Sequence, residues 1–147
     1  VTAVVLGMGQ PLAGDDGIGW VVARALAAQG LAVRESGDAT DLLALLEEGR
    51  RVVVVDAVVG GGAPGDVIRV DLEALDGGDS VPVSSHGVSL RAAMEVARVL
   101  YGPDVAERVT IVGVVVDGPC EAGRSMSPRV TGAVRQAAAL AAFLAAS

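Results

Sequence analysis

Short valine-rich apolar runs alternate with longer stretches in which apolar residues recur every three or four positions, and this alternation continues along the chain. The runs at 3–7, 31–35, 52–57 and 110–115 predict strands, with 67–72 a fifth. Val52-Val53-Val54-Val55 and Ile111-Val112-Gly113-Val114-Val115 are nearly unbroken in apolar residues, as central parallel strands covered on both faces must be. Val67-Ile68-Arg69-Val70-Asp71-Leu72 is interrupted by charge, which places it nearer an edge.

Four helices fit between and after these runs. The first spans about 16–29, with Ile18, Val21, Val22, Ala25 and Leu26 as its buried stripe and Gly30 as its stop. The second spans 40–48, with Leu42, Leu45 and Leu46 facing in and Gly49 ending it. A third follows His86 and carries Leu90, Ala93, Met94, Ala97 and Leu100 on one face, closed by Gly102-Pro103. The last opens on Ser127 as N-cap with Pro128 at the first helical position, and continues through 133–146. Alternation of this kind, with no repeat and no interdomain linker, predicts a single α/β domain over residues 1–147. Its architecture is a three-layer sandwich, a mostly parallel twisted sheet with helices on both faces.

Composition narrows the function classes. The length of 147 residues suits one domain. The single cysteine, Cys120, rules out a disulfide framework and Cys-rich metal sites, and points to a reducing, cytoplasmic setting. Eleven basic residues, all arginine, stand against eighteen acidic ones, for a net charge of −7. With no basic cluster, and only Trp20, Tyr101 and Phe143 as aromatics, nucleic acid is not an expected partner. No run reaches the roughly 18 apolar residues of a membrane span, so membrane insertion is not expected either. The opening residues read as a first strand rather than a signal peptide.

His86 is the chain's sole histidine, so any chemistry that needs an imidazole falls to it. Asp16 lies in the loop after the first strand, Asp56 ends the Val52–Val55 run, and His86 precedes the third helix. Each sits where one element turns into the next, and open α/β sheets build their sites at such carboxyl-end turns. Two oxygen donors and an imidazole suit a divalent metal. The segment from Gly7 to Gly19 opens as G-x-G, but Leu12 occupies the third glycine position of a dinucleotide fingerprint, and no Gly-Lys-Ser/Thr follows. Asp15 and Asp16 suit a helix N-terminus, where one of them reads as a cap. Gly14, Gly17 and Gly19 around them imply close approach to the backbone. Behind Asp56, Gly60-Gly61-Gly62-Ala63-Pro64-Gly65 reads as a flexible loop able to admit a peptide. The plain alternative for His86 is a cap of the third helix, and Cys120 reads as a buried or loop thiol.

Four groups of residues, taken in order and spacing, resemble the hydrogenase maturation endopeptidases. They are Leu6-Gly7-Met8-Gly9 with Asp15-Asp16-Gly17-Ile18-Gly19; Val55-Asp56-Ala57 with Pro64-Gly65; Ser84-Ser85-His86 with Leu90; and Val112-Gly113-Val114 with Met126-Ser127-Pro128. The resemblance covers almost the entire chain and implies a five-stranded twisted sheet. It also implies an endopeptidase that removes the C-terminal extension of a nickel–iron hydrogenase large-subunit precursor after nickel insertion. On this resemblance Asp16, Asp56 and His86 are the catalytic and metal-contacting residues, the metal is nickel supplied by the precursor, and the nickel-loaded precursor is the partner. Gln10 departs from the family's usual asparagine, and Glu35-Ser36-Gly37-Asp38 from its common Asp-Gly-Gly. Two mechanisms stay open: a metal that polarises the scissile carbonyl, or one that only positions the peptide while an aspartate acts as general base. The alternative from another class is a non-catalytic maturation or nickel-handling module that holds the same precursor without cutting it.

Overall fold

The computed structural model describes residues 3–70, 83–84, 87–118 and 123–147. In chain order the elements are β1 (Val4–Met8), α1 (Ile18–Ala28), β2 (Val33–Ser36), α2 (Thr40–Glu47), β3 (Val52–Val59), β4 (Val67–Val70), β5 (Val83–Ser84), α3 (Gly87–Tyr101), β6 (Val109–Val116), α4 (Pro128–Gly132) and α5 (Val134–Ala146). The main path of the sheet is β2-β1-β3-β6-β4. The β1–β2, β1–β3 and β3–β6 pairs are parallel, whereas β4 runs antiparallel to β6. The two-residue β5 pairs antiparallel with the end of β3. The five-stranded, mostly parallel sheet read from the sequence is therefore present, and the charged strand β4 lies at its edge as expected.

The unbroken valine runs follow from the layering. Val52 and Val54 join Val4, Leu6 and Met8 in a cluster with Leu42, Leu46, Leu90 and Met94 from α2 and α3. Their neighbours Val53, Val55 and Ala57 join Val5 in the opposite cluster, with Ile18, Val22 and Leu26 of α1 and Ala137 and Ala141 of α5. Successive side chains of a strand point to opposite faces, so a strand covered on both must be apolar throughout. Each valine or leucine removed from water in this way stabilises the fold by roughly 1.5–3 kcal/mol.

Helix α1 lies unusually close to the sheet, and glycine makes this possible. A Cβ on Gly19 would sit 2.3 Å from the Met8 carbonyl oxygen and 2.4 Å from that of Val55. A Cβ on Gly7 would meet the Gly19 carbonyl oxygen at the same 2.3 Å. The close approach implied by the glycines of this segment is thus an approach of the chain to itself.

Several boundaries differ from the periodicity reading. The first helix begins as a 3-10 turn, Gly14–Gly17, and becomes α-helical only at Ile18. Strand β2 starts two residues later than expected, at Val33. The last helix is broken in two, because Ala133 bonds back three residues to the Val130 carbonyl beside the weak helix former Gly132. Its start is as read: the Ser127 hydroxyl accepts the Val130 N–H at 3.4 Å, with Pro128 in the first turn.

Candidate active site

Parallel pairing brings the carboxyl ends of β1 and β3 out on one side of the sheet, with Gly7 in register with Val55. Asp56 is the next residue along β3, and β1 leads from Met8 into the loop that carries Asp16. The 3-10 turn Gly14–Gly17 packs directly against β3. The turn that carries Asp16 therefore packs against the strand that carries Asp56, but Asp56 does not end that strand: it pairs with Gly113 of β6 and β3 continues for three further residues to Val59, because the apolar run resumes at Ala57-Val58-Val59. Asp56 is 0% exposed and Asp16 only 9%. One Asp56 oxygen, Oδ1, accepts the N–H of Ala57 at 2.8 Å. A carboxylate withdrawn from water costs several kcal/mol unless hydrogen bonds or a cation compensate it, roughly 2–7 kcal/mol even for a neutral polar group.

Asp15 and Asp16 have different roles, and neither caps a helix through its side chain. The Asp15 carboxylate reaches across the molecule and accepts the Ser127 N–H at 2.6 Å and the Ser127 hydroxyl at 2.9 Å. It thereby ties the site loop to the start of α4. Asp16 is the buried member of the pair, on the turn that faces β3.

His86 and Cys120 lie outside the described residues. The backbone on either side of His86 is placed, however. Ser84, two residues before it, pairs with Val58, two residues after Asp56, and Gly87 opens α3. Among the described residues no three His, Cys, Asp or Glu side chains form a metal-binding group. A metal set built on Asp16, Asp56 and His86 requires the one residue of the three that is not described.

The loop from Gly60 to Gly65 is more tightly held than its composition suggests. Asp66 accepts the Ala63 N–H at 2.9 Å, Asp66 N–H returns to the Ala63 carbonyl at 2.9 Å, and Gly65 N–H bonds to the Val115 carbonyl at 2.8 Å.

A network at the end of β2 escaped the sequence reading. The Trp20 indole N–H donates to the Ser36 carbonyl at 3.1 Å, and the buried Ser36 hydroxyl bonds Asp41. Asp38 accepts the Thr40 N–H at 2.9 Å, which shapes the entry to α2. Glu35 pairs with Arg24 at 3.2 Å, and the Arg24 guanidinium lies 5.6 Å from the centre of the Trp20 ring. The stretch from Glu35 to Asp38 therefore ties β2 to Trp20 and Arg24 of α1 and to Asp41 of α2. The Ser-Gly-Asp-Ala-Thr string was the available signal, since serine and aspartate so spaced commonly bond their own turn.

Residues 30–143 match the model of the hydrogenase maturation protease family, HycI. That span contains Asp56 and His86 and begins after Asp16, so the case for Asp16 rests on its motif and its place in the fold. The chain is similar over 99% of its length to 99% of the [NiFe] hydrogenase maturation protease HybD from Thermococcus kodakarensis, at 26% identity and a TM-score of 0.78. A [NiFe] hydrogenase maturation protease HycI from Thermococcus kodakarensis KOD1 aligns with 98% of this chain and 90% of its own, at 25% identity and a TM-score of 0.69. The endopeptidase HycI from Escherichia coli shares the fold, with a TM-score of 0.71 at 21% identity over 95% of this chain and 88% of that one. No curated protein matches the sequence.

Proposed function

Because the chain belongs to the hydrogenase maturation protease family, we propose that it removes the C-terminal extension of a nickel–iron hydrogenase large-subunit precursor once nickel has been inserted. In this reading nickel is part of the substrate, and Asp16, Asp56 and His86 contact it. Carboxylate oxygens and a neutral imidazole are reasonable nickel ligands, and three protein donors leave room for groups of the precursor. The observation that carries the reading is the packing of the Asp16 turn against β3, the strand that bears the fully buried Asp56. Asp56 is fully buried and Asp16 is the more exposed of the two, so in this reading Asp16 is the carboxylate that meets the peptide. Peptide hydrolysis needs a proton taken from the attacking water, and a carboxylate beside the scissile bond supplies that base. The metal, where bound, adds a positive charge that orients the carbonyl of the bond to be cut.

The reaction takes place in the cytoplasm in this proposal, in keeping with a chain of one cysteine. Among the described residues no helix is long and apolar enough to cross a membrane. Incubation of the chain with nickel-loaded precursor, followed by mass measurement, tests the whole reading. Loss of one defined C-terminal peptide supports it. Intact precursor held in a stable complex would instead identify a non-catalytic maturation module.

A further inference from the structure

Leu12 is 78% exposed and lies on the loop that leads from β1 to Asp16. A lone exposed leucine is ordinary on a protein surface. Leu12 differs in how firmly its backbone is fixed. Its carbonyl accepts the Gly123 N–H at 2.6 Å, and on its two flanks Ala13 N–H bonds to the Gln10 carbonyl at 3.1 Å and Asp16 N–H to the Ala13 carbonyl at 3.2 Å. Pro11 restricts φ on its N-terminal side. A Cβ on Gly17 would lie 3.2 Å from the Pro11 carbonyl oxygen and 3.3 Å from that of Gln10, so this loop is packed against the turn that holds Asp16. These contacts fix the backbone that carries Leu12.

An isobutyl group held outward on a fixed backbone, four residues ahead of Asp16, has the properties of a binding anchor. Covering it removes apolar surface from water, and little backbone freedom is left to lose when that happens. The acidic neighbours Asp15 and Asp16, on a chain of net charge −7, disfavour an acidic occupant. We infer that Leu12 is a specificity-determining residue that holds an apolar side chain of the precursor's C-terminal segment beside the bond to be cut. This rests on the peptidase reading above.

Steady-state cleavage of nickel-loaded precursor by the wild-type chain, Leu12→Ser and Leu12→Met tests it. Leu12→Ser should raise KM by about tenfold and leave kcat within about twofold, as expected when binding shared by ground and transition states is lost. Leu12→Met should restore KM, and thermal melting should be the same for all three because the side chain is exposed. Equal KM for wild type and Leu12→Ser overturns the inference while the peptidase reading stands, and so does a fall in kcat alone. A wild-type chain that binds precursor without cutting it retires the peptidase reading instead. Titration then decides for Leu12 by itself: a weaker Kd for Leu12→Ser supports the contact, and an equal Kd overturns it.

Discussion

The loops that leave β1 and β2 start from the carboxyl ends of adjacent parallel strands, and each leads to a helix. Each is rich in glycine and aspartate: Asp15 and Asp16 in one, Asp38 and Asp41 in or just after the other. Their carboxylates nevertheless do different things. Asp38 and Asp41 bond groups within a few residues, the Thr40 N–H and the Ser36 hydroxyl, and so build the turn they belong to. Asp15 bonds a residue 112 positions away, and Asp16 is buried on a turn against the neighbouring strand β3. The difference arises because β1 lies between β2 and β3, whereas β2 is an edge strand with no such second neighbour. Position in the sheet, more than local composition, decides whether an aspartate builds its own turn or is buried against a neighbouring element.

Exchanging charge for amide in both loops is the sharpest way to break this contrast. Asp16→Asn should lower precursor processing by about a hundredfold or more, the scale of a lost acid–base group, and circular dichroism should show an intact fold. Asp56→Asn and His86→Ala should do the same, whereas Asp38→Asn should leave processing unchanged. Normal processing by Asp16→Asn would place the two loops on equal terms. The next largest effect is on stability. Gly19→Ala drives a methyl group into the Met8 and Val55 carbonyls, and urea unfolding should register a loss of about 3 kcal/mol. Asp15→Ala removes both bonds to Ser127 and should lower stability by about 2 kcal/mol, with some loss of processing as the site loop loosens. The smallest effect belongs to the β2 loop: Asp38→Ala should lower stability by about 1 kcal/mol or less, since it removes one exposed turn bond, with cleavage kinetics unaltered.

Much of this architecture was legible in the sequence because burial on both faces of a strand leaves a direct mark. Val52 to Val55 and Ile111 to Val115 could be little else than central strands, and Ser127-Pro128 could hardly fail to open a helix. Asp16 and Asp56 were legible as site candidates because each follows such a run. What escaped was whatever depends on distant partners. The bond from Asp15 to Ser127 has no local signature. Gly14, Gly17 and Gly19 announced a close approach, but only the packing reveals that at Gly19 the approaching body is the sheet rather than a ligand. The glycine loop after Asp56 looked loose because the closing bonds come from Asp66 and from β6.

The clasp between Asp15 and Ser127 carries a consequence for biosynthesis. A ribosome delivers the front of the loop more than a hundred residues before the serine that closes it. Until that later stretch emerges and docks, the nascent polypeptide lacks this brace, so the loop reaches its final setting only after residue 127 has been made.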